Sequence, residues 1–344
     1  MACRWAASWI IWTKARWHRR CGCAARWRAE RRLPMIDLLL LDRKPEILAE
    51  RLTSLDGRVR LHLASSSEQA MAVAGQIEVA IVMPQLMQRE LVAAMGKLQW
   101  IQTLSAGVDP LLPLGIPASV KVTSAAGVHA PQMCELIFFQ LLTLLRNSRE
   151  VLRRQDAHEW KPGPQPLLWG KRLLIVGVGK IGVELAKRAQ AFGLHVTGAS
   201  SGRREADGFD AIRLMEDLHA ALGEADFIVV LTPYSEKTHH LFDEAAFAAM
   251  RPAALFVNAG RGKVVKQEAL IAALQAKQIS GAALDVFETE PLPADSPLWD
   301  LPGLLITPHV GGYSDIFTDQ VAPFLLANFA NWQAGRPLEN LVRL

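Results

Sequence analysis

From Met35 onward the chain has a single cysteine, Cys134, so no disulfide framework can form in this body. A reducing cytoplasm is the compartment this leads one to expect. The chain also lacks an apolar run long enough to span a bilayer. The stretch Ala6–Trp12 is too short, and no small-residue cleavage site follows it at secretory spacing, so no membrane partner is expected. A basic stripe is missing too. Residues 1–34 hold nine Lys or Arg against one acid, Glu30; this local +8 within a total of +4 leaves −4 for the other 310 residues. An acidic body excludes nucleic acid as the expected partner of the folded part. No internal repeat or low-complexity tract follows residue 34, and no metal site is expected.

What is there falls into two unequal parts. Residues 1–34 carry five of the ten Trp and three of the four Cys, with no apolar period of 2 or 3.6. They read as a non-native-looking or disordered basic extension. A translated upstream region ahead of a start at Met35, an Arg-rich organelle-targeting peptide and a genuine basic tail are all open readings, and the segment is set aside for the fold. The remainder is long enough for about two domains.

From Met35 short apolar runs alternate with amphipathic stretches, the pattern of parallel strands joined by crossover helices. Strands are predicted at Ile36–Leu41, Val59–Leu63, Glu78–Val82 and Trp100–Thr103, with helical stretches at Pro45–Ser54 and Ser67–Ala74. Turn-formers interrupt the chain at Pro110–Pro117. A long helix over Pro131–Arg149, apolar nearly all round, is expected to lie buried between layers. His158–Trp169 is proline-rich and reads as a loop. Six further strands follow at Arg172–Val176, His195–Ala199, Asp226–Leu231, Ala254–Asn258, Gly281–Val286 and Leu304–Thr307, separated by helices that include Gly182–Phe192 and Gln267–Lys277. A last amphipathic helix, Ser314–Ala334, has no strand after it to join that sheet and is expected to return to the first domain. The fold class is thus α/β: two Rossmann-like domains with doubly wound parallel sheets, a dinucleotide-binding domain (129–312) inserted into a substrate domain (35–128 and 313–344).

The turn between the first strand of the second run and its helix reads Gly177-Val178-Gly179-Lys180-Ile181-Gly182. Gly177 permits the tight turn, Gly179 lets backbone approach a pyrophosphate, and Gly182 lets helix and strand pack closely. The phosphates would meet the amides at the positive end of the following helix. About 20 residues on, where an NAD enzyme places an acid for the ribose 2′-hydroxyl, the chain has Ser200, Ser201, Arg203 and Arg204. An acid there would repel a 2′-phosphate and cations attract it, so NADP(H) is preferred and NAD(H) allowed.

Ligands of open α/β sheets bind beyond the carboxyl ends of the strands. Three reactive side chains follow the last three strands: Arg261, Glu290 and His309. A histidine titrates near working pH and suits a proton donor, a paired carboxylate favours its protonated form, and an arginine grips a carboxylate in bidentate fashion.

In their settings these residues resemble the D-isomer-specific 2-hydroxyacid dehydrogenase family, which includes glyoxylate/hydroxypyruvate reductases. The matching segments are Leu104–Asp109, Ser124–Glu135, the glycine turn, Leu231–Pro233, Asn258–Gly262, Ala283–Pro293, Ser296–Trp299 and Thr307–Gly312, and the likeness covers essentially the body from Met35. The resemblance implies an NAD(P)-dependent 2-oxo acid reductase in which Arg261, Glu290 and His309 are catalytic. It implies substrate contacts from Ser105, Ala106, Gly107 and Val108 together with Arg261 and His309. It also implies cofactor contacts from Thr232, Pro233, Asn258, Ala259, Gly260, Arg261, His309 and Gly311, with Asp285 facing the nicotinamide end, and a homodimer built through the dinucleotide domain. Departures are Lys266 and Gln267, where the family commonly has an acid, and Cys134 in place of a small residue. Two rival readings share the fold: a dinucleotide-sensing corepressor-type binding protein, and an S-adenosylhomocysteine-hydrolase-like enzyme whose further substrate-domain motifs are not found.

Overall fold

A computed structural model describes residues 35–342; the expectation about residues 1–34 lies outside them. The first sheet holds β1 (Ile36–Leu41), β2 (Val59–Ala64), β3 (Val79–Val82), β4 (Trp100–Thr103), β5 (Lys121–Thr123) and, from the far end of the chain, β13 (Leu341–Val342). Its order is β13-β5-β4-β3-β1-β2, parallel except for β13, which runs antiparallel to β5. The second sheet holds β6 (Arg172–Val176), β7 (His195–Ser200), β8 (Ala211–Leu214), β9 (Phe227–Val230), β10 (Leu255–Asn258), β11 (Gly281–Leu284) and β12 (Leu304–Ile306). It is ordered β12-β11-β10-β9-β6-β7-β8 and is parallel throughout.

The strands are apolar runs because both faces of each sheet are covered. Leu39 and Leu41 of β1 pack into one core while Leu38 and Leu40 pack into another on the opposite face, as period 2 requires. The same alternation divides Leu173 and Ile175 of β6 from Leu174 and Val176. Val321, Leu325 and Phe329 of the helix Phe317–Gln333 join Leu38 and Leu40 in one core, so the last helix packs on the first sheet. A buried polar chain fixes it there. Asn328 donates to Gln102 Oε1 (2.9 Å), which also accepts from Thr123 Oγ1 (2.7 Å), while the Trp100 indole donates to Thr123 (2.8 Å).

Several local expectations need correction. The second sheet has seven strands rather than six, because β8 is a half-exposed edge strand with little apolar signal. The helix expected over Pro131–Arg149 is two, Ala130–Leu145 and Ser148–Asp156, parted by Asn147 at φ +47°, a left-handed conformation that asparagine tolerates. It is not buried all round either: Phe139 is 54% exposed. The first sheet is mixed, not wholly parallel. The helix at Pro45 stops at Ala49, the one at Ser67 stops at Met71, and the turn-rich segment after β4 contains the 3-10 helix Asp109–Leu114. No helix among the described residues is long and apolar enough to cross a membrane.

Candidate active site

The order of the second sheet reverses between β6 and β9, and the crevice over that switch point collects the expected cofactor residues. Gly177–Gly182 follow β6, Ser200–Arg204 end and follow β7, Thr232 and Pro233 follow β9, Asn258–Arg261 end and follow β10, Asp285 follows β11, and His309 and Gly311 follow β12. All stand at carboxyl ends of one sheet.

The glycine turn is shaped by contacts on two of its glycines and by open space on the third. Gly177 sits at φ +112°, and a Cβ there would lie 2.8 Å from the backbone carbon of Leu231. At Gly182 a Cβ would come within 2.5 Å of the Gly177 carbonyl oxygen, whereas at Gly179 nothing lies within 4 Å. Gly179 also precedes the helix Lys180–Ala191 with no side-chain cap, leaving first-turn amides for an outside acceptor. This is an open cradle that suits a pyrophosphate. The side chain of Val178 instead turns inward and is buried. Beyond β7, Ser200 Oγ accepts from the amides of Gly202 (3.4 Å) and Arg203 (3.1 Å), folding the loop that carries the exposed Arg203 and Arg204. Neither arginine is in an ion pair among the described residues.

The reactive triad assembles at the neighbouring strand ends. His309 Nδ1 lies 2.6 Å from Glu290 Oε2, and the other Glu290 oxygen accepts the Phe287 amide at 2.9 Å. An ionised carboxylate only accepts, so Nδ1 carries the proton and Nε2 is left without a protein partner among the described residues. The hydrogen bond to Glu290 raises the His309 pKa above the usual 6.5. Partial burial opposes this, the charges of Glu290 and Asp285 reinforce it, and Arg261 counts against it. Burial pushes the Glu290 carboxyl up, but the hydrogen bonds from His309 and the Phe287 amide, with the charges of His309 and Arg261, bring it below its usual 4.5. His309 and Glu290 are thus in direct contact, and Arg261 stands on the turn after the neighbouring strand β10.

The backbone beneath the cluster is held by buried polar groups. His309 itself sits at φ +53°, a conformation a non-glycine residue keeps only where surroundings enforce it. Asp285, almost fully buried, supplies the enforcement: Oδ1 accepts from Thr307 Oγ1 (2.6 Å) and the Val310 amide (3.0 Å), Oδ2 from the Gly311 amide (3.0 Å). Gln140 in turn donates to Thr307 Oγ1 at 2.9 Å. Asn258 does the same for Arg261, accepting from the Gly260 amide (3.1 Å) and donating to the Arg261 carbonyl (3.0 Å). Gly262 lets this turn lie against the Phe287 carbonyl, 1.9 Å from where a Cβ would stand.

From the first sheet comes one loop. Ser105 Oγ donates to the Gly107 carbonyl (2.7 Å), and the Ser105 carbonyl accepts from Thr103 Oγ1 (2.7 Å) and the Ala125 amide (2.9 Å). Arg261 reaches this loop and pairs with Asp109, which sequence reasoning left out although it closes the segment Leu104–Asp109. It also left out Thr307 and Gln140, and the bonds by which Asp285 holds the His309 loop. Lys266 and Gln267 lie apart from this cluster, Lys266 pairing with Glu244 and the Gln267 amide with Glu288. Cys134 is a buried thiol that burial pushes up to about 12, a packing group rather than a nucleophile.

Comparison with known proteins agrees with this architecture. Residues 138–311 match the model of the D-isomer specific 2-hydroxyacid dehydrogenase NAD-binding domain. The chain belongs to the D-isomer specific 2-hydroxyacid dehydrogenase family. It is 41% identical over 231 residues to glyoxylate/hydroxypyruvate reductase B of Klebsiella pneumoniae strain 342, covering 64% of this chain and 71% of that protein. The crystal structure of a family protein from Aeromonas salmonicida superposes with a TM-score of 0.84 at 35% identity, over 90% of this chain and 99% of that one. An NADPH-dependent glyoxylate/hydroxypyruvate reductase from Sinorhizobium meliloti, solved with NADP and sulfate, gives 0.80 at 28%, over 89% and 98%. This member is therefore an oxidoreductase acting on the CH–OH group of donors, with a nicotinamide dinucleotide as cofactor.

Proposed function

We propose that the protein reduces glyoxylate, hydroxypyruvate or a similarly small 2-oxo acid with NADPH, through Arg261, Glu290 and His309. The observation that carries the reading is the 2.6 Å contact of His309 and Glu290 beside Arg261, on three neighbouring strand ends. Arg261 holds the substrate carboxylate and polarises the carbonyl, and the amides of Ser105–Val108 meet the same carboxylate. The nicotinamide, when bound, supplies the hydride to the carbonyl carbon. His309 gives the carbonyl oxygen its proton from Nε2 and is left neutral, with Glu290 fixing its orientation throughout. In the oxidative direction the neutral imidazole takes that proton back.

The preference for NADPH rests on the Ser200 turn and on Arg203 and Arg204, which pair with no carboxylate among the described residues. The domain division (35–128 with 313–344, and 129–312) follows the two sheets and the return of the last helix. A homodimer is part of the reading, because Trp160, Trp169 and Leu152 on and after the helix Ser148–Asp156 stand exposed, a surface suited to a second copy. The cytoplasm is its compartment, on the ground of the single body thiol. Steady-state kinetics with NADPH and NADH on glyoxylate, hydroxypyruvate, pyruvate and phenylpyruvate tests the whole: turnover should favour NADPH and the two smallest polar acids. A strong NADH preference would remove the arginines from the cofactor site, and tight cofactor binding without turnover would point to a sensor.

A further inference from the structure

Arg261 is already partly engaged. Its Nε and Nη2 donate to one oxygen of Asp109, at 3.1 and 3.0 Å, and Nη1 donates to the Gly260 carbonyl at 2.8 Å. Of the five N–H groups of a planar guanidinium three are thereby committed. One N–H on each terminal nitrogen is left for a ligand carboxylate. Asp109 stands on the loop after β4 of the first sheet and Arg261 on the turn after β10 of the second, so the contact spans the two sheets. The Nη2 end of the guanidinium abuts Gly107: a Cβ there would stand 1.7 Å from Nη2, 3.0 Å from Cζ and 2.8 Å from the Asp109 carboxylate.

We propose that Asp109 is a positioning residue that fixes Arg261 on the substrate loop, with its remaining N–H pair turned toward the 2-oxo acid. The inference rests on the reading of Arg261 as the carboxylate clamp. Stability does not explain the pair. The two side chains are about a third exposed, and an ion pair so placed contributes about 0–1 kcal/mol to a fold. Orientation does explain it. An arginine on a flexible stem binds a carboxylate in many poses, and the reduction needs one in which the carbonyl carbon faces the nicotinamide. By joining Arg261 to the residues 105–108 that approach the same carboxylate, Asp109 makes a single recognition surface from two elements that are 152 positions apart in sequence.

The test is Asp109→Asn and Asp109→Glu in the full chain, assayed with glyoxylate, NADPH and 4-deuterated NADPH. For Asp109→Asn, kcat/KM for glyoxylate should fall about 10- to 100-fold, the cost of a misplacement of up to an ångström. The KM for NADPH and the melting temperature should hold, and the deuterium isotope effect should grow as hydride transfer becomes limiting. Asp109→Glu should recover part of the loss. An Asp109→Asn enzyme with wild-type kcat/KM and isotope effect would overturn this inference alone. So would an equal loss in NADPH binding, which would mark Asp109 as structural. A wild-type protein inert on every 2-oxo acid would overturn the proposed function together with it.

Discussion

The turn after β6 and the loops after β10–β12 serve one crevice by opposite means. The glycine turn works through a missing side chain: Gly179 leaves open space and free amides for an outside ligand. The other loops work through satisfied side chains, since Asp285, Asn258 and Glu290 spend their hydrogen bonds on backbone, on the Thr307 hydroxyl or on His309. A flexible ligand needs a surface it can approach, whereas a proton donor and a carboxylate clamp need fixed directions. The first property is a matter of a few consecutive residues. The second depends on partners far apart in sequence.

The comparison breaks most sharply at His309. Replacing it by Gln removes the proton donor and leaves the glycine turn untouched, so reduction should fall about 10³-fold, within the range of general acid catalysis. NADPH affinity measured by fluorescence should stay at the wild-type level; near-normal turnover would take His309 out of the acid role.

Two alanine substitutions within the glycine turn sharpen the other side. Gly182→Ala drives a Cβ against the Gly177 carbonyl and should lower stability by about 1–3 kcal/mol, seen as a lower melting temperature. Gly179→Ala meets no atom of the described residues within 4 Å, so the melting point of the cofactor-free protein should hold. NADPH should nevertheless bind about tenfold more weakly, roughly 1.4 kcal/mol, because the methyl group fills the approach to the amides. Equal melting points for both variants would contradict this division of labour.

The smallest effect is on pH dependence. Reduction requires protonated His309, whose pKa is raised, so kcat/KM should hold below about 6.5 and fall only as pH rises through the raised value. In Glu290→Gln the hydrogen-bonded anion is gone, and the alkaline limb should move to lower pH. The pair also stabilises the fold. The His309 share is complete below 6.5 and lost as pH rises through its raised value, and the Glu290 share is present above 4.5 and lost as pH falls through its lowered one. An unmoved limb in Glu290→Gln would separate the two residues.

How much could be read in advance follows the same line. The buried strands β1, β6, β9, β10 and β11 were legible because continuous burial writes continuous apolar runs. The strands missed were the half-exposed β8, the three-residue β5 and the two-residue β13, whose pairing and not whose composition makes them strands. The left-handed Asn147 separates two helices that the apolar run up to Leu145 read as one. In the site, Arg261, Glu290 and His309 were legible as reactive types after successive strands, and the glycine turn as a spacing. Asp109 on Arg261 and Thr307 on Asp285 were not, because polar contacts across the fold leave no periodic trace in either partner's own segment.

A crystal structure with NADP and oxalate, a non-reducible dicarboxylate, would show directly whether the clamp and the acid meet one ligand. One carboxylate should sit on the terminal nitrogens of Arg261, with Asp109 still on its side edge and His309 Nε2 within about 3.2 Å of an oxalate oxygen. Oxalate bound away from Arg261, or an imidazole turned from the ligand and the nicotinamide, would contradict the account.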